Sequence, residues 1–400
     1  MAICRTCQSD QVPAFLHFDR MPLAGAFLDG PADMSSETFH PLTVRACDSC
    51  GLIQVAPMIP PEILFRRYNF MTGSIPSLVE HFTDYAGFIA RELKAANVVE
   101  FGCNDGTLLA ALGFLGVRAF GVDPAGNVLE LARKRGVEVE HGYFDEAMAE
   151  RLLMKLGPVD LVTGSNCFAH NPDQRPILRA ARRLLREGGL LAIECMYAGD
   201  LLEQLQWDTL YHEHLVVYSL GSISAVLGQE GFTVVDVDRV PMHAGSLRVF
   251  ATPSGPSVRP GPRVTRMAEM EASTRLNRSA TWREFGDLVQ RRIRDVGEVL
   301  RQRAESNTVW AYGASGRATM WLNAANLDFV RKVVDSSPLR VGKLMPGLHQ
   351  PIVSPEEFHR EQPDMMLVTA WNYFSSIRAK ERQFSGQWVL PLPSLVFQRG

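Results

Sequence analysis

The chain has 400 residues, of which 46% are hydrophobic and 21% charged. This composition is typical of a globular protein with two or three domains and excludes a disordered or fibrous chain. Its 41 basic and 44 acidic residues give a net charge of −3, which argues against a general polyanion binder but allows a local pocket for one phosphate group. No apolar run approaches 18 residues and no secretory signal pattern is evident, so we expect a cytosolic protein with no membrane partner.

The first 60 residues are rich in loops and contain two Cys-x-x-Cys pairs. A two-residue gap lets a tight turn aim both thiolates at one metal, so the pairs predict a zinc site with four ligands, Cys4, Cys7, Cys47 and Cys50. The segment has too few apolar side chains to bury a core alone, which favours a structural metal. A redox Cys-x-x-Cys and two incidental pairs are the alternatives.

A helical pattern is predicted over residues 62–96. From residue 97 onward, short β-branched runs alternate with helical stretches, which predicts a parallel α/β sheet. The predicted strands are 98–101, 119–123, 137–140, 159–162 and 190–194, with a closing pair at 233–237 and 247–250. The stretch 174–187 predicts an amphipathic helix that ends at Gly188-Gly189.

The Pro- and Gly-rich residues 251–263 are predicted to form a linker. The next segment predicts a helix whose apolar stripe comprises Phe285, Leu288, Val289, Ile293, Val296 and Leu300. A second alternation of strands and helices follows, with predicted strands at 309–312, 333–335 and 365–368. We therefore expect two Rossmann-like α/β halves.

The segment 100–107 forms a predicted strand-to-helix turn, whose glycines allow a ligand to approach the backbone. Asp123 ends the next strand, where it can accept hydrogen bonds from ribose hydroxyls. A nicotinamide dinucleotide would require G-x-G-x-x-G, but Asn104 replaces the second glycine and Asp105 would repel a pyrophosphate. S-adenosylmethionine carries no phosphate, so the turn favours this cofactor; an ordinary βα turn is the alternative.

Two segments supply groups for acid–base chemistry. Residues 163–170 follow the fourth strand, at the sheet edge where ligands bind in such folds, so Asn166 and His170 are expected near the cofactor. Residues 207–215 contain a cluster in which histidine can titrate near neutrality, namely Tyr211, His212, Glu213 and His214. The zinc motif H-E-x-x-H is absent. The structural alternative for residues 163–170 is a capped turn at which His170 begins a helix. The alternative for residues 207–215 is the start of a surface helix.

Two weaker signals lie further along the chain, at 243–248 and 312–317. The second resembles a turn that opens a helix N-terminus to a phosphate, with Arg317 helping to bind the anion. A simple βα turn explains the same residues equally well.

These motifs occur in a fixed order: paired cysteines, E-x-G-x-N-D-G, S-N-x-x-A-H, Y-H-E-H, H-x-G-S-L-R, Y-G-A and a late W-N. In this order the chain resembles the sugar C-methyltransferases, which methylate carbon 3 of nucleotide-linked 4-keto deoxysugars. The resemblance implies an α/β protein with a zinc-binding N-terminal lobe (1–60), a central Rossmann-like class I methyltransferase domain (61–252) and a C-terminal Rossmann-like domain (264–400) that helps to hold the sugar nucleotide.

The resemblance also implies roles for single residues. The expected contacts to S-adenosylmethionine are Glu100, Gly102, Asn104, Asp105, Gly106, Asp123 and Asn166. The expected catalytic residues are His214, Tyr211, Glu213, His170, Asn166 and Tyr68. The chain departs from the family pattern at Phe70, where a second tyrosine is usual, at Ala244, where glycine is usual, and at Ser315-Gly316-Arg317.

The expected reaction is methylation of a carbon next to a ketone. His214 would remove the proton, Tyr211 or His170 would donate to the enolate, and Glu213 would orient the histidine. The expected partner is a small molecule, namely a nucleotide-linked sugar, and we expect no nucleic-acid partner. We expect the protein to be a monomer or a homo-oligomer. The alternatives are C- or O-methylation of a non-sugar metabolite, and a zinc-ribbon binding module with an inactive Rossmann fold.

Overall fold

The computed structural model describes residues 2–64 and 70–400. Its strands, in chain order, are β1 (Ala14–Pro22), β2 (Phe39–Ala46), β3 (Ile53–Ala56), β4 (Asn97–Phe101), β5 (Arg118–Asp123), β6 (Glu138–His141), β7 (Val159–Ser165), β8 (Leu185–Met196), β9 (Val216–Val217), β10 (Phe232–Val240), β11 (Ser246–Pro253), β12 (Val309–Tyr312), β13 (Val333–Val334), β14 (Ile352–Val353), β15 (Met365–Val368), β16 (Gln387–Leu390) and β17 (Val396–Arg399).

The α-helices are α1 (Pro61–Leu64), α2 (Pro76–Arg91), α3 (Thr107–Phe114), α4 (Gly126–Lys134), α5 (Glu146–Leu156), α6 (Arg175–Leu184), α7 (Ala198–Glu203), α8 (Leu220–Gln229), α9 (Pro262–Ser273), α10 (Ser279–Ala304), α11 (Gly316–Ala324), α12 (Pro355–Arg360) and α13 (Phe374–Lys380). Short 3-10 helices include Thr72–Ser74, Phe168–His170, Trp207–Thr209 and Met242–Ala244. No helix of the described residues is long and apolar enough to cross a membrane.

A seven-stranded sheet forms the central part of the molecule, with strand order β10-β11-β8-β7-β4-β5-β6. The five strands from β8 to β6 are parallel, whereas β11 pairs antiparallel with both of its neighbours. The chain order reverses between β4 and β7, and ligands bind at such a point in doubly wound sheets. This arrangement is the class I methyltransferase fold.

The C-terminal part contains a six-stranded sheet with order β14-β13-β12-β15-β16-β17. Its strands are parallel except for β17, which pairs antiparallel with β16. The order reverses between β12 and β15, which creates a second crevice of the Rossmann type.

The N-terminal part is a four-stranded sheet with order β1-β2-β3-β9, so its last strand comes from the central part of the chain. Helix α10 covers β1, where the rings of Phe15 and Trp282 lie 5.6 Å apart. Leu42 and Leu52 of this part and Trp282 belong to one continuous apolar core. The cysteine-bearing segment therefore completes its core with residues far away in the sequence.

The strands predicted from sequence in the central and C-terminal parts are present, whereas three helix and linker predictions were wrong. The region 62–96 is not one helix: α2 begins at Pro76, because Ile75 before it is extended. Helix α6 ends at Leu184, since Leu185 already pairs with Val159 in the sheet, and Gly188-Gly189 lie within β8. The predicted linker is shorter than 251–263, because its first three residues complete β11. Leu288 of the predicted stripe is 42% exposed.

Candidate active site

A cavity of about 940 Å³ lies at the carboxyl ends of the central and C-terminal parallel strands. All three parts of the chain contribute to its wall, for example Gly25, Asn104, His214 and Gly316. Such a location matches the topological switch points of both sheets, where doubly wound folds bind their ligands.

The turn after β4 forms one end of the cavity. Gly102 has a φ of +65°, and a Cβ atom there would lie 2.6 Å from Cys167 Sγ, so only glycine fits this position. Glu100 is buried in the cavity wall, and burial raises the pKa of its carboxyl well above the ordinary value. Its Oε2 atom has no hydrogen-bond partner among the described residues, so it is available to a donor group of a ligand.

Asp123 stands beside this turn, at the end of β5. Its Oδ2 accepts a hydrogen bond from the Asn104 backbone amide at 2.9 Å, and its Oδ1 accepts one from Ala125 at 2.8 Å. Burial raises the pKa of Asp123, which lines the cavity. The carboxylate retains lone pairs for ribose hydroxyls, so Glu100 and Asp123 together suit S-adenosylmethionine.

Asp105 and Gly106 do not line the cavity of the described chain, although both were expected to contact the cofactor. The Asp105 carboxylate accepts hydrogen bonds from the Gly73 amide, at 2.9 Å, and from the Arg135 guanidinium, at 3.0 Å. Gly106 has a φ of +73°, and a Cβ there would meet Val137 at 2.7 Å. The structure thus gives these two residues a role in shaping the turn.

Asn166 lines the cavity next to the same turn, in a left-handed conformation with φ +55°. Its backbone amide donates to the Glu194 carbonyl at 2.7 Å, and its Nδ2 donates to Glu194 Oε1 at 3.3 Å. Burial alone would raise the pKa of Glu194, but His81 and Arg248 lower it to about 2. Arg248 of the H-x-G-S-L-R motif therefore holds the carboxylate that positions Asn166.

Three residues of the Y-H-E-H cluster line the cavity, namely Tyr211, Glu213 and His214. The ring of His214 lies 4.0 Å from that of Tyr211 and 5.2 Å from that of His170, measured between centroids. His214 Nδ1 lies 2.6 Å from the Thr209 carbonyl oxygen, which can only accept. The proton of a neutral His214 is therefore on Nδ1, and Nε2 carries a lone pair.

Burial and the neighbouring His170 hold the pKa of His214 well below its usual value. Burial also lowers the pKa of His170 to about 4. Both imidazoles are therefore neutral at pH 7. Burial raises the pKa of Tyr211, so its hydroxyl stays protonated and can donate a hydrogen bond.

Glu213 has a different partner from the one expected. Its carboxylate accepts a hydrogen bond from the backbone amide of Gly25, and burial raises its pKa to about 7. The group that orients His214 is instead the Thr209 carbonyl. Sequence reasoning missed this contact because a backbone carbonyl leaves no signal in the residue type. Tyr68 lies outside the described residues, and its expected role stays a prediction.

The C-terminal wall repeats the arrangement around Asp123. Asp335 follows β13, and its Oδ2 accepts from the Ala314 amide at 2.8 Å while its Oδ1 accepts from Ser337 at 2.7 Å. Arg317, which was considered for phosphate binding, instead donates to Asp208 Oδ1 at 2.6 Å. Its charge is therefore already paired within the protein.

The four paired cysteines form a compact cluster outside the cavity. Their Sγ atoms all lie within 4.8 Å of one another, with Cys4 3.6 Å from Cys50 and Cys7 3.5 Å from Cys47. A disulfide requires about 2.05 Å, whereas the sulfurs around a tetrahedral zinc at about 2.3 Å are roughly 3.8 Å apart. The donor set therefore fits zinc, and four protein ligands leave no position for substrate.

The chain is similar to known proteins over all three of its parts. Three family models match: “Putative zinc binding domain” over residues 4–65, “Methyltransferase domain” over 73–237 and “C-methyltransferase C-terminal domain” over 241–393. The C-methyltransferase NovU of Streptomyces niveus is 34% identical over 98% of this chain and 95% of its own. A ubiquinone biosynthesis O-methyltransferase of Xanthomonas oryzae is 31% identical over 26% of this chain and 45% of its own.

Among solved structures, the CcbJ methyltransferase from Streptomyces caelestis matches with a TM-score of 0.34 and 17% identity, over 44% of this chain and 90% of its own. The relationship to NovU spans nearly the whole chain, and the family models cover the zinc cluster, the central sheet and the C-terminal part. The chain therefore belongs to the sugar C-methyltransferase family and is an S-adenosylmethionine-dependent C-methyltransferase.

Proposed function

We propose that this enzyme methylates the carbon next to the ketone of a nucleotide-linked 4-keto deoxysugar. The observation that carries the proposal is one cavity whose wall includes His214 and residues of both Rossmann-type crevices. Asp123 serves the cofactor in one crevice, and Asp335 has the matching position for the nucleoside of the substrate in the other. A small substrate without a nucleotide would leave the second crevice with no ligand to bind.

S-adenosylmethionine supplies the methyl group when bound. His214 Nε2 takes the proton from the carbon next to the ketone, while its Nδ1–H remains bonded to the Thr209 carbonyl. Tyr211 donates a hydrogen bond to the enolate oxygen, and the neutral His170 is a second donor to this oxygen. The bond between this carbon and the methyl group would form as the bond between the methyl group and the sulfonium sulfur breaks, which would release S-adenosylhomocysteine. The proton held by His214 passes to solvent when the product leaves. A positioned base of this kind contributes on the order of 10²–10⁴ in rate.

The test is turnover of labelled S-adenosylmethionine with a panel of nucleotide-linked 4-keto deoxysugars. We expect label in a carbon-bound methyl group next to the ketone, located by NMR. A methyl group on oxygen, or turnover of a non-sugar ketone alone, would replace the sugar assignment with one of the alternatives. Absence of cofactor binding in calorimetry would instead favour an inactive binding module.

The role of His214 has its own test in the exchange of the substrate proton with deuterated solvent. We expect His214→Asn to abolish this exchange while S-adenosylmethionine still binds. His212→Gln is the matched control, because His212 Nε2 donates a hydrogen bond to the Pro41 carbonyl oxygen at 3.0 Å and does not line the cavity of the described chain. Full exchange in His214→Asn would assign the base to another residue.

A further inference from the structure

Asp208 is a buried carboxylate that joins the central and C-terminal parts. It is 0% exposed, and three side chains of the C-terminal part donate to it. Arg317 Nη1 lies 2.6 Å from Oδ1, and the indole nitrogens of Trp321 and Trp371 lie 3.1 and 2.9 Å from Oδ2. The next residue along the chain is Thr209, whose carbonyl holds His214.

We propose that Asp208 is a positioning residue for the base. By fixing the short helix Trp207–Thr209 on the C-terminal part, it sets the location of the Thr209 carbonyl, which in turn selects the Nδ1–H tautomer of His214. This inference deepens the proposed function and rests on it only for the role of His214 as base. The C-terminal part would then position the base in addition to binding the substrate.

Neighbouring contacts reinforce the same link. Arg317 Nη2 donates to Gln206 Oε1 at 3.2 Å and to the His243 carbonyl at 3.1 Å. The ring of Trp207 packs edge-on against Trp321, with centroids 4.8 Å apart. Thus each of the three residues that precede Thr209 contacts the C-terminal part.

A purely stabilising role is the rival explanation, but buried ion pairs are poor sources of stability compared with apolar residues of similar size. Buried ion pairs do fix the relative orientation of the two groups, because each donor must meet an acceptor lone pair. The carboxylate of Asp208 is satisfied by three donors in one geometry, which fixes its orientation. An apolar contact would hold the helix less specifically.

The test compares Asp208→Asn with Glu37→Gln as a matched control. Glu37 is also a buried acid that accepts from the C-terminal part, from the Gly347 amide at 2.8 Å and from His349 at 2.7 Å, but it contacts neither Thr209 nor His214. An asparagine at 208 must turn its NH₂ group toward either Arg317 or the two indoles, so at least one donor loses its acceptor.

The first measurement is the side-chain ¹⁵N NMR spectrum of the histidines, with the His214 signals assigned through His214→Asn. We expect the wild type and Glu37→Gln to show His214 with its proton on Nδ1. Asp208→Asn should show a mixture of tautomers. This measurement needs no sugar substrate, so its outcome is independent of whether the sugar panel reacts.

The second measurement is catalytic. We expect Asp208→Asn to lower kcat for methylation and the rate of proton exchange 10- to 100-fold, with the Kd of S-adenosylmethionine changed less than twofold. If Asp208→Asn proves unfolded, Trp321→Phe removes one donor and keeps an aromatic ring, and a smaller shift of the tautomer is expected. An unchanged tautomer in a folded variant, or an equal loss of kcat in Glu37→Gln, would overturn the inference.

Discussion

The backbone amide of Gly25 donates a hydrogen bond to the carboxylate of Glu213, and a Cβ atom at position 25 would lie 2.6 Å from Glu213 Oε1. Gly25 belongs to the N-terminal part of the chain, whereas Glu213 is in the Y-H-E-H cluster. The N-terminal part of the chain therefore contributes to the wall of the cavity and also carries the cysteine cluster. We therefore expect the geometry at position 25 to affect catalysis.

We expect Gly25→Ala to push the Glu213 carboxylate away and to lower kcat on the order of 10- to 100-fold, since displacements near 1 Å cost this much in preorganised sites. The matched control is Gly30→Ala, because a Cβ at Gly30 would meet nothing within 4 Å. Steady-state kinetics of both variants provide the comparison. Equal activity of the two alanine variants would show that the position of Glu213 does not matter for the reaction.

Glu213 also predicts a dependence of stability on pH. Burial raises its pKa to about 7, against about 4.3 in an unfolded chain. Between these values the native protein binds more protons than the unfolded chain, so ionisation of Glu213 destabilises the fold as the pH rises.

Relative to Glu213→Gln, the free energy of unfolding of the wild type should be constant below about pH 4, fall by roughly 4 kcal/mol as the pH rises to about 7, and change little above that. Denaturant unfolding of both proteins at a series of pH values measures this difference. The buried histidines titrate in both proteins, so their contributions cancel in the difference between the two free energies of unfolding. A pH-independent difference would mean that Glu213 keeps an ordinary pKa in the fold.

Much of the fold could be predicted because its signals are local. The β-branched runs and the glycines after β4 and β12 mark strands and ligand-binding turns without reference to the rest of the chain. The wrong helix end at Gly188-Gly189 shows the limit of local rules, because pairing of Leu185 with Val159 outweighed the glycine signal. The proposed domain boundaries at 60, 252 and 264 stay predictions.

The contacts within the active site were harder to predict, because they join distant segments. Nothing near Arg317 in the sequence shows that its charge is paired with Asp208, more than one hundred residues earlier. Likewise, the partners of Glu213 and His214 are backbone groups, of Gly25 and Thr209. The motifs therefore identified several polar residues that line the cavity, but not the groups that orient them.

The cysteine cluster should matter for both stability and catalysis. Arg5, between the first two cysteines, donates to the carbonyls of Leu215 and Val55 at 2.9 and 2.7 Å, and Leu215 directly follows His214. We expect Cys47→Ser to lose zinc and to lower the free energy of unfolding by several kcal/mol, on the order expected when a metal site is coupled to folding.

Elemental analysis of zinc content and denaturant unfolding measure the two effects of Cys47→Ser. The control is Ser49→Ala, which changes an exposed residue of the same Cys-x-x-Cys turn and should keep both the metal and the stability. Full stability of a zinc-free Cys47→Ser protein would contradict a structural role of the metal.

The aspartates at the ends of β5 and β13 allow ligand binding in one crevice to be compared with ligand binding in the other. Each carboxylate accepts two backbone amides, from Asn104 and Ala125 in the case of Asp123, and from Ala314 and Ser337 in the case of Asp335. Both residues line the cavity, and Asp335 Oδ2 also accepts from Arg340 Nη1 at 3.4 Å. A carboxylate has about four acceptor positions, so each keeps lone pairs for a ligand. If the crevices bind different ligands, loss of one negative charge should affect one ligand only.

We expect Asp123→Asn to weaken S-adenosylmethionine about 10- to 100-fold in calorimetry, the range for loss of a charged hydrogen bond, and to leave the KM of the sugar nucleotide unchanged. Asp335→Asn should do the reverse, so each variant is the control for the other. Asparagine keeps one acceptor oxygen and a similar shape, which limits damage to the turns. Weaker cofactor binding in both variants would mean that the two crevices do not act as separate sites, and the assignment of the second crevice to the substrate would then fail.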